Sequence, residues 1–310
     1  MTGKMNKIAV IDLGTNTCNL LIAEDDEQGY KLLFQGKEVV KMGKGGINKN
    51  IIPDDGIRRA VRAIKSHQQR ISQYKVERTI AVATSAVRDA TNRDAFCQTI
   101  QNETGIILDV ISGEKEAELI FNGVLLAFGN KPGNSLVLDI GGGSNEFIWC
   151  AGNKIVWKKS FPLGMARIIE RFSPSDPVTK EEIATIRNYF EENLATLWAT
   201  VSKGKTEKLI GCSGAFDTLV DLIDGTTPGT KLRKHQEFSA DDFQKLYDRL
   251  IGSTTTERLQ MKGMELIRVE MIVPAVILIN LVIQKLNLRK IVQTDYALRE
   301  GVLHEMTLFD

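Results

Sequence analysis

Short apolar runs alternating with amphipathic stretches organise the whole chain. Residues 8–11 are continuously apolar and stop at Asp12. A small polar turn, Leu13-Gly14-Thr15-Asn16-Thr17, follows, and residues 20–23 resume the apolar run, which predicts a hairpin. A third strand is expected at 31–35. Residues 54–74 carry Ile57, Val61 and Ile64 at helical spacing, so a long amphipathic helix is predicted there. Strands at 79–83 and 107–111 alternate with helices at 93–104 and 113–128. The second half repeats the theme. Strands are expected at 136–138, 147–149 and 154–158, and Thr179 caps a long helix running to about Lys203. A strand at 209–212, a mostly apolar helix over 264–286, a short strand at 290–292 and a closing helix at 298–306 complete the reading. Residues 203–205 and 224–234 read as surface loops. Strands alternating with helices make this an α/β protein.

The two halves resemble one another. Leu136-Val137-Leu138 leads into Asp139-Ile140-Gly141-Gly142-Gly143-Ser144 and then Phe147-Ile148-Trp149, which repeats the strand, Asp-x-Gly turn and strand of the N-terminus. Asp12 matches Asp139, Gly14 matches Gly141 and Thr17 matches Ser144, which implies two related domains. Such a turn gathers backbone N–H groups into one space where phosphate oxygens bind. Glycine there permits close approach and unusual dihedrals. The aspartate beside it is useful when a cation such as Mg2+ lies between it and the phosphate. One turn alone is better explained as a plain hairpin. Two at equivalent places, one with three glycines, favour a phosphate site. A third small turn, Gly211-Cys212-Ser213-Gly214, also follows a strand and brings Ser213 and Gly214 forward as lining residues.

Composition narrows the classes without changing this picture. The chain has 310 residues, 43% hydrophobic and 25% charged, with a formal net charge of +1, so an anionic ligand must be held locally rather than by bulk charge. This excludes a general nucleic-acid or membrane binder. The apolar run at 271–279 is interrupted by Pro274 and is shorter than the roughly 20 residues a bilayer span needs, so it reads as a buried core helix. Cys18, Cys97, Cys150 and Cys212 form no CxxC pair, which argues against zinc or a disulfide framework and for a reducing cytoplasm. No signal-peptide pattern opens the sequence. His67, His235 and His304 fall in no ligand pattern.

Two residues between the turns carry candidate chemistry. Helical spacing puts Glu116 on one face with Ile120, Val124 and Ala127, whereas Glu114, Glu118 and Asn122 share a solvated face. A carboxylate held partly out of water is a better base, because desolvation raises its pKa. A first-turn glutamate that merely answers the helix dipole explains the position equally well. Arg88 sits in the first turn of a helix capped by Thr84 or Ser85, the wrong end for the dipole, so an anionic partner is expected. That partner is either a nearby acid such as Asp89 or a phosphate gripped by the guanidinium fork.

The two turns, together with Ala83-Thr84-Ser85-Ala86-Val87-Arg88-Asp89-Ala90, Ile111-Ser112-Gly113-Glu114-Lys115-Glu116-Ala117 and the segment at 295–303, resemble the exopolyphosphatase / guanosine pentaphosphate phosphohydrolase (Ppx/GppA) family in its short two-domain form. The resemblance runs in the same order from about residue 7 to 304. It implies two actin-like domains, of the ribonuclease H-like ASKHA superfamily, with an interdomain cleft. The first would comprise 5–126 plus 296–310 and the second 127–295. It implies release of terminal phosphate from inorganic polyphosphate, or of the 5′-phosphate of guanosine pentaphosphate. Glu116 would activate the water and Arg88 would clamp the reacting phosphate. Asp12, Gly14, Thr15, Asn16, Thr17, Gly141, Gly142, Gly143, Ser144, Ser213 and Gly214 would hold phosphates, and Asp139 and Glu146 would hold Mg2+. Lys37 and Lys41 are candidates for more distal phosphates, with a solvated basic loop as the alternative. The resemblance leaves room for K+ as an activator and for a homodimer.

The chain departs from the family's usual pattern at several points. Glu118 stands where a basic residue is common, Thr15 and Thr17 replace serines, Asn145 replaces a threonine, and Cys212 with Ala215-Phe216 varies the third turn. The reversal at Glu118 bears on substrate length more than on reaction type. Two other readings stand beside the hydrolase. One is an actin-like ATP-dependent kinase or ATPase. The other is a non-catalytic sensor of guanosine tetra- or pentaphosphate.

Overall fold

The computed structural model describes residues 6–26, 29–202 and 204–307. Met5, Lys203 and residues 308–310, which enter the sequence-based boundaries above, lie outside the described residues.

Two mixed sheets are built to one plan. The first contains β1 (Lys7–Leu13), β2 (Thr17–Asp26), β3 (Gly29–Val39), β4 (Arg78–Ala83) and β5 (Asp109–Val110), in the order β3-β2-β1-β4-β5. The second contains β6 (Ser135–Ile140), β7 (Asn145–Ala151), β8 (Lys154–Phe161), β9 (Lys208–Cys212), β10 (Gln236–Ser239) and β11 (Lys290–Thr294), in the order β10-β11-β9-β6-β7-β8. In each, an antiparallel three-strand meander is followed by a parallel strand on the far side of the first strand: β1 beside β4, and β6 beside β9. The internal repeat seen in the turns is therefore a repeat of whole sheets.

Period-two alternation along the strands explains how the layers stack. Ala9, Ile11 and Leu13 of β1 pack with α1 (Asp54–Tyr74) and α3 (Arg93–Thr104) on the outer face of the first sheet. Leu136, Leu138 and Ile140 of β6 pack on the outer face of the second sheet. Their partners include α6 (Lys180–Asn193), α9 (Ala240–Ile251) and α11 (Ile272–Leu286). The opposite faces, with Ile8, Val10, Val137, Ile148 and Ile210, share one core with α4 (Gly113–Ala127) and α12 (Leu298–Thr307). These two helices thus form the central layer. Glycine lets them approach closely: a Cβ on Gly123 would overlap the Ala297 carbonyl, and one on Gly301 the Leu119 carbonyl. Asp12, Asp139 and Glu146 have the parity of the inward-facing apolar residues. They therefore end the central layer with carboxylates rather than aliphatic groups.

Several sequence-based boundaries need correction. The helix from Thr179 does carry a capping box, with Thr179 and Glu182 bonded reciprocally, but it breaks at Leu194, and α7 (Ala195–Val201) is a separate element. The 264–286 segment is a 3-10 turn (Leu266–Arg268) followed by α11, whose Pro274 is tolerated at the third position because no helical amide is required there. The strand expected at 107–111 shrinks to Asp109–Val110, and Ile107 is exposed. Helices α5 (Met165–Phe172) and α8 (Gly214–Asp224), strand β10 and α9 were not predicted. The 224–234 loop contains Arg233, which is buried and ion-paired with Asp221 at 2.9 Å. The remaining elements are α2 (Ser85–Arg88), α10 (Thr255–Leu259) and a 3-10 turn at Ile47–Lys49. No helix among the described residues is long and apolar enough to cross a membrane.

Candidate active site

A cavity of 580 Å3 opens where the carboxylate ends of the central layer meet the two turns. Its walls include Asp12, Gly14, Thr15, Asn16, Thr17, Gly141, Gly142, Gly143, Ser144, Asp139, Glu146, Glu116, Ser213, Gly214 and Lys37. Arg88 and Lys41 do not line it. Arg88 lies directly behind Glu116, and Lys41 is exposed with its backbone N–H donated to the Asn16 carbonyl at 3.1 Å.

The turns match in hydrogen bonding as well as in sequence. Gly14 N–H donates to the Thr17 carbonyl at 2.9 Å, and Gly141 N–H to the Ser144 carbonyl at 3.0 Å. Outside the turns, Met42 N–H donates to Thr15 O at 2.8 Å and Val40 N–H to Asn16 O at 2.9 Å. In the second turn Met165 N–H takes Gly141 O at 3.0 Å and Ala166 N–H takes Gly142 O at 2.8 Å. A trans peptide points its N–H opposite to its carbonyl. With those carbonyls committed to the protein, the N–H groups of Asn16, Thr17, Gly142 and Gly143 are directed away from them, the arrangement an anion nest requires.

The glycines are needed for space rather than for unusual dihedrals. None of Gly14, Gly141, Gly142 and Gly143 has positive φ. A Cβ on Gly143 would lie 2.5 Å from Ser85 Oγ and 2.6 Å from Thr15 Oγ1, and one on Gly142 would overlap the Asn16 side chain. The second turn therefore sits against the first turn and against α2. The unusual dihedral belongs to Ser213 instead, at φ 66° and ψ 173°. It lies at the N-terminus of α8, and its side chain hydrogen-bonds Asp139.

Each aspartate at a strand end faces a residue seven positions on. Asp12 pairs in register with Asn19, and Asp139 with Glu146. Asn19 Nδ2 donates to Asp12 Oδ2 at 3.0 Å, so the first lobe satisfies its carboxylate with an amide. The second lobe sets two carboxylates face to face. Burial, and then the charge of Glu146, raise Asp139 to about 7. Burial also raises Glu146, against hydrogen bonds from Ser160 and Ser144. Ser160 Oγ donates to Glu146 Oε1 at 2.6 Å. Two buried carboxylates held this close call for a cation or a proton. Among the described residues no group of three or more histidine, cysteine, aspartate or glutamate side chains is arranged to hold a metal. A two-carboxylate donor set nevertheless fits a magnesium-like ion, which uses one or two carboxylates and takes its other oxygens from water and phosphate.

Glu116 is on the fourth residue of α4, whose N-terminus is capped by Ser112 accepting from Lys115 N–H at 3.1 Å. It is 7% exposed, whereas Glu114 is exposed and Glu118 is spent on ion pairs with Lys115 and Lys158. Glu118 thus lies off the cleft. Burial, then the charge of Glu146, push Glu116 well above the usual carboxylate range, and only Arg88 opposes them. Arg88 Nη1 donates to Glu116 Oε2 at 2.7 Å, and its Nε lies 3.5 Å from Asp89 Oδ1. Arg88 therefore has two acidic partners within the protein, Asp89 as the sequence suggests and Glu116, which it does not indicate. Arg88 lies in the first turn of its helix as expected, but that turn is the whole of α2 and Arg88 is its last residue, and Thr84 at the N-cap makes no side-chain cap bond.

Other lining residues carried no strong sequence signal. Thr84, Ser85, Asp217, Glu265, Arg268 and Arg299 all reach the cavity. Burial and then Asp295 raise Asp217 to about 6. Lys37 is tied across the cleft to Glu265 at 2.6 Å. Only Asn19 had a discoverable signal: it follows Asp12 by the interval that separates Glu146 from Asp139.

This arrangement is a familiar one. Residues 21–309 match the model of the Ppx/GppA phosphatase family. The chain belongs to the Ppx/GppA phosphatase family. It is 30% identical over 271 residues to "Exopolyphosphatase 2" of Mycobacterium tuberculosis, covering 84% of each chain. It is 36% identical over 226 residues to the "Bifunctional 3-dehydroquinate synthase/phosphatase" of Fusobacterium nucleatum, where the match covers 69% of this chain but spans only 34% of that longer protein. The crystal structure of an exopolyphosphatase from Cytophaga hutchinsonii superposes with a TM-score of 0.91 at 38% identity, covering 97% of both chains. The fold is accordingly the α/β fold of that family, and the enzymatic class that follows from membership is a phosphoanhydride hydrolase.

Proposed function

We propose that this Ppx/GppA member is a Mg2+-dependent exopolyphosphatase that releases terminal phosphate from inorganic polyphosphate. The observation that carries the reading is the pairing of buried Glu116 with half-buried Arg88 beside the two glycine turns. In this reading the N–H groups of the two turns and the hydroxyls of Thr15, Thr17 and Ser144 hold the terminal phosphates. Glu116, held above the usual carboxylate range by burial, accepts the proton of the attacking water. Arg88 does not line the cavity but is bonded to Glu116 at its wall, and freed from that bond it would neutralise charge that builds on the transferred phosphoryl group. Asp139 and Glu146 would hold Mg2+, which supplies charge neutralisation on the phosphate oxygens when bound. Lys37 is a candidate contact for a longer chain once it leaves Glu265. The exopolyphosphatases among the relatives support inorganic polyphosphate as substrate. The four free thiols, three of them buried in strands, support a reducing compartment.

The test is a phosphate-release panel comparing short polyphosphate, long polyphosphate, guanosine pentaphosphate and ATP, each with and without Mg2+. Mg2+-dependent release from polyphosphate is expected. Turnover of ATP alone would support the kinase or ATPase reading. Binding of guanosine pentaphosphate without any turnover would make the protein a sensor.

A further inference from the structure

Arg167, on the first turn of α5, is 9% exposed and is used by none of the chemistry above. Its guanidinium joins three separate segments. Nε donates to the Gly143 carbonyl of the second turn at 2.9 Å. Nη1 donates to the Ile47 carbonyl at 2.6 Å and lies 3.3 Å from Asn50 Oδ1, both in the first lobe. Nη2 donates to Asp89 Oδ2 at 2.7 Å. Asp89 in turn accepts from Ser85 Oγ at 3.3 Å and presents its other oxygen to Arg88 Nε at 3.5 Å. The result is a row of alternating charges, Arg167–Asp89–Arg88–Glu116, that begins on a helix of the second lobe and ends on the carboxylate at the cleft.

Fixing Asp89 from behind has a chemical consequence for Arg88. With Arg167 removed, Asp89 Oδ2 would keep only the 3.3 Å bond from Ser85 Oγ and its charge would lie uncompensated beside the Arg88 guanidinium, which would be drawn toward it and off Glu116. With Arg167 in place Asp89 already has a strong partner, so its pull on Arg88 is limited to the longer 3.5 Å contact while the 2.7 Å bond to Glu116 is kept. The same guanidinium grips the backbone of the second turn. The position of Arg88 is therefore referenced to the nest that would hold the phosphate. Only a planar fork can serve these directions at once, which an ammonium cannot do.

We propose that Arg167 is a positioning residue for phosphate release, holding Arg88 in register with the second glycine turn through Asp89. The inference rests on the hydrolase reading above. Its role is in the alignment of the reacting groups, so it acts on kcat more than on substrate capture.

The experiment compares the full chain with Arg167→Ala, Arg167→Lys, Asp89→Asn and the Arg167→Ala/Asp89→Asn double variant, measuring steady-state phosphate release from tripolyphosphate with Mg2+ and the thermal midpoint of each. Asp89→Asn approaches the row from its more exposed member and keeps the test open if Arg167→Ala folds poorly. Expected results are a fall in kcat of at least about tenfold with KM within about threefold of wild type for Arg167→Ala and Asp89→Asn, in line with the loss caused by a small misplacement of reacting groups. Arg167→Lys keeps the charge and should recover thermal stability without recovering kcat. The double variant should be no worse than the poorer single variant, since both break one row. A kcat unchanged in Asp89→Asn, a loss lying in KM, multiplicative single effects, or full recovery by lysine would each overturn the proposal while wild-type turnover left the hydrolase reading intact. No release by the wild type would sink both.

Discussion

Replacing Gly143 by alanine should damage the cleft out of proportion to one methyl group. The added Cβ would stand 2.5 Å from Ser85 Oγ and 2.6 Å from Thr15 Oγ1, against 3.4 Å for ordinary contact, so it falls short by 0.9 Å (3.4 minus 2.5) and 0.8 Å (3.4 minus 2.6). Neither neighbour can retreat freely. Thr15 and Ser85 are both buried, and each belongs to a wall of the cleft. Either the second turn or the first-lobe wall must move by most of an ångström. Overpacking of this kind costs about 1–3 kcal/mol of stability, and a displacement of about 1 Å at reacting groups costs about a hundredfold in rate. The assay is phosphate release from tripolyphosphate beside thermal unfolding. The expected result is a fall in kcat/KM near a hundredfold with a thermal midpoint lower by only a few degrees. Activity within about threefold of wild type would show that contact between the turns does not set the geometry, and the reasoning would fail.

Three further outcomes follow from the geometry of the cleft. Ser213→Gly relieves a φ of 66° but removes the hydroxyl that bonds Asp139. It should therefore raise stability by about 1 kcal/mol while lowering activity, and a loss of stability in thermal unfolding would contradict this. Asp139, raised to about 7 from 3.8, holds in the metal-free fold a proton that the unfolded chain has given up, so its contribution is fully present below the unfolded value and is lost as pH rises through about 7. A cation must displace that proton. Mg2+ affinity measured by calorimetry should weaken by up to about tenfold for each pH unit below about 7, and an affinity flat across that range would refute the assignment of Asp139 to the metal. Glu265→Gln releases Lys37 from its 2.6 Å ion pair, so KM for longer polyphosphate should fall, and an unchanged or higher KM would exclude Lys37 as a contact for the chain.

The sequence made the frame legible because the frame depends on local signals. Residues 54–74 and 93–104 read as helices at the observed limits, since their periodicity and flanking turn residues are strong. Asp12 and Asp139 were visible because a strand end followed by Asp-x-Gly occurs twice. What remained hidden depends on packing between distant segments. Leu194 breaks a helix whose apolar pattern continues unbroken, and α8 begins at Gly214 after a serine in a conformation that no propensity favours. Glu116 could be placed on the apolar face by spacing, yet nothing in the spacing said that Arg88 lies 2.7 Å away. Arg167 illustrates the limit: in sequence it is one arginine on a short helix, and its meaning lies in four partners drawn from residues 47 to 143. Of the two reasons the sequence offers for the glycines of the second turn, close approach holds, although the neighbour is the other lobe, and unusual dihedrals do not, since none has positive φ.

The central claim is that Glu116 acts as the base in phosphoanhydride hydrolysis, and Glu116→Gln tests it most directly. Glutamine keeps the size of the side chain and an oxygen that can accept from Arg88, while removing the carboxylate that takes the proton. Tripolyphosphate binding, followed by calorimetry with Mg2+, should stay within about threefold of wild type, and single-turnover phosphate release should fall by about 10²–10⁴-fold. Release at the wild-type rate with binding intact would contradict the account.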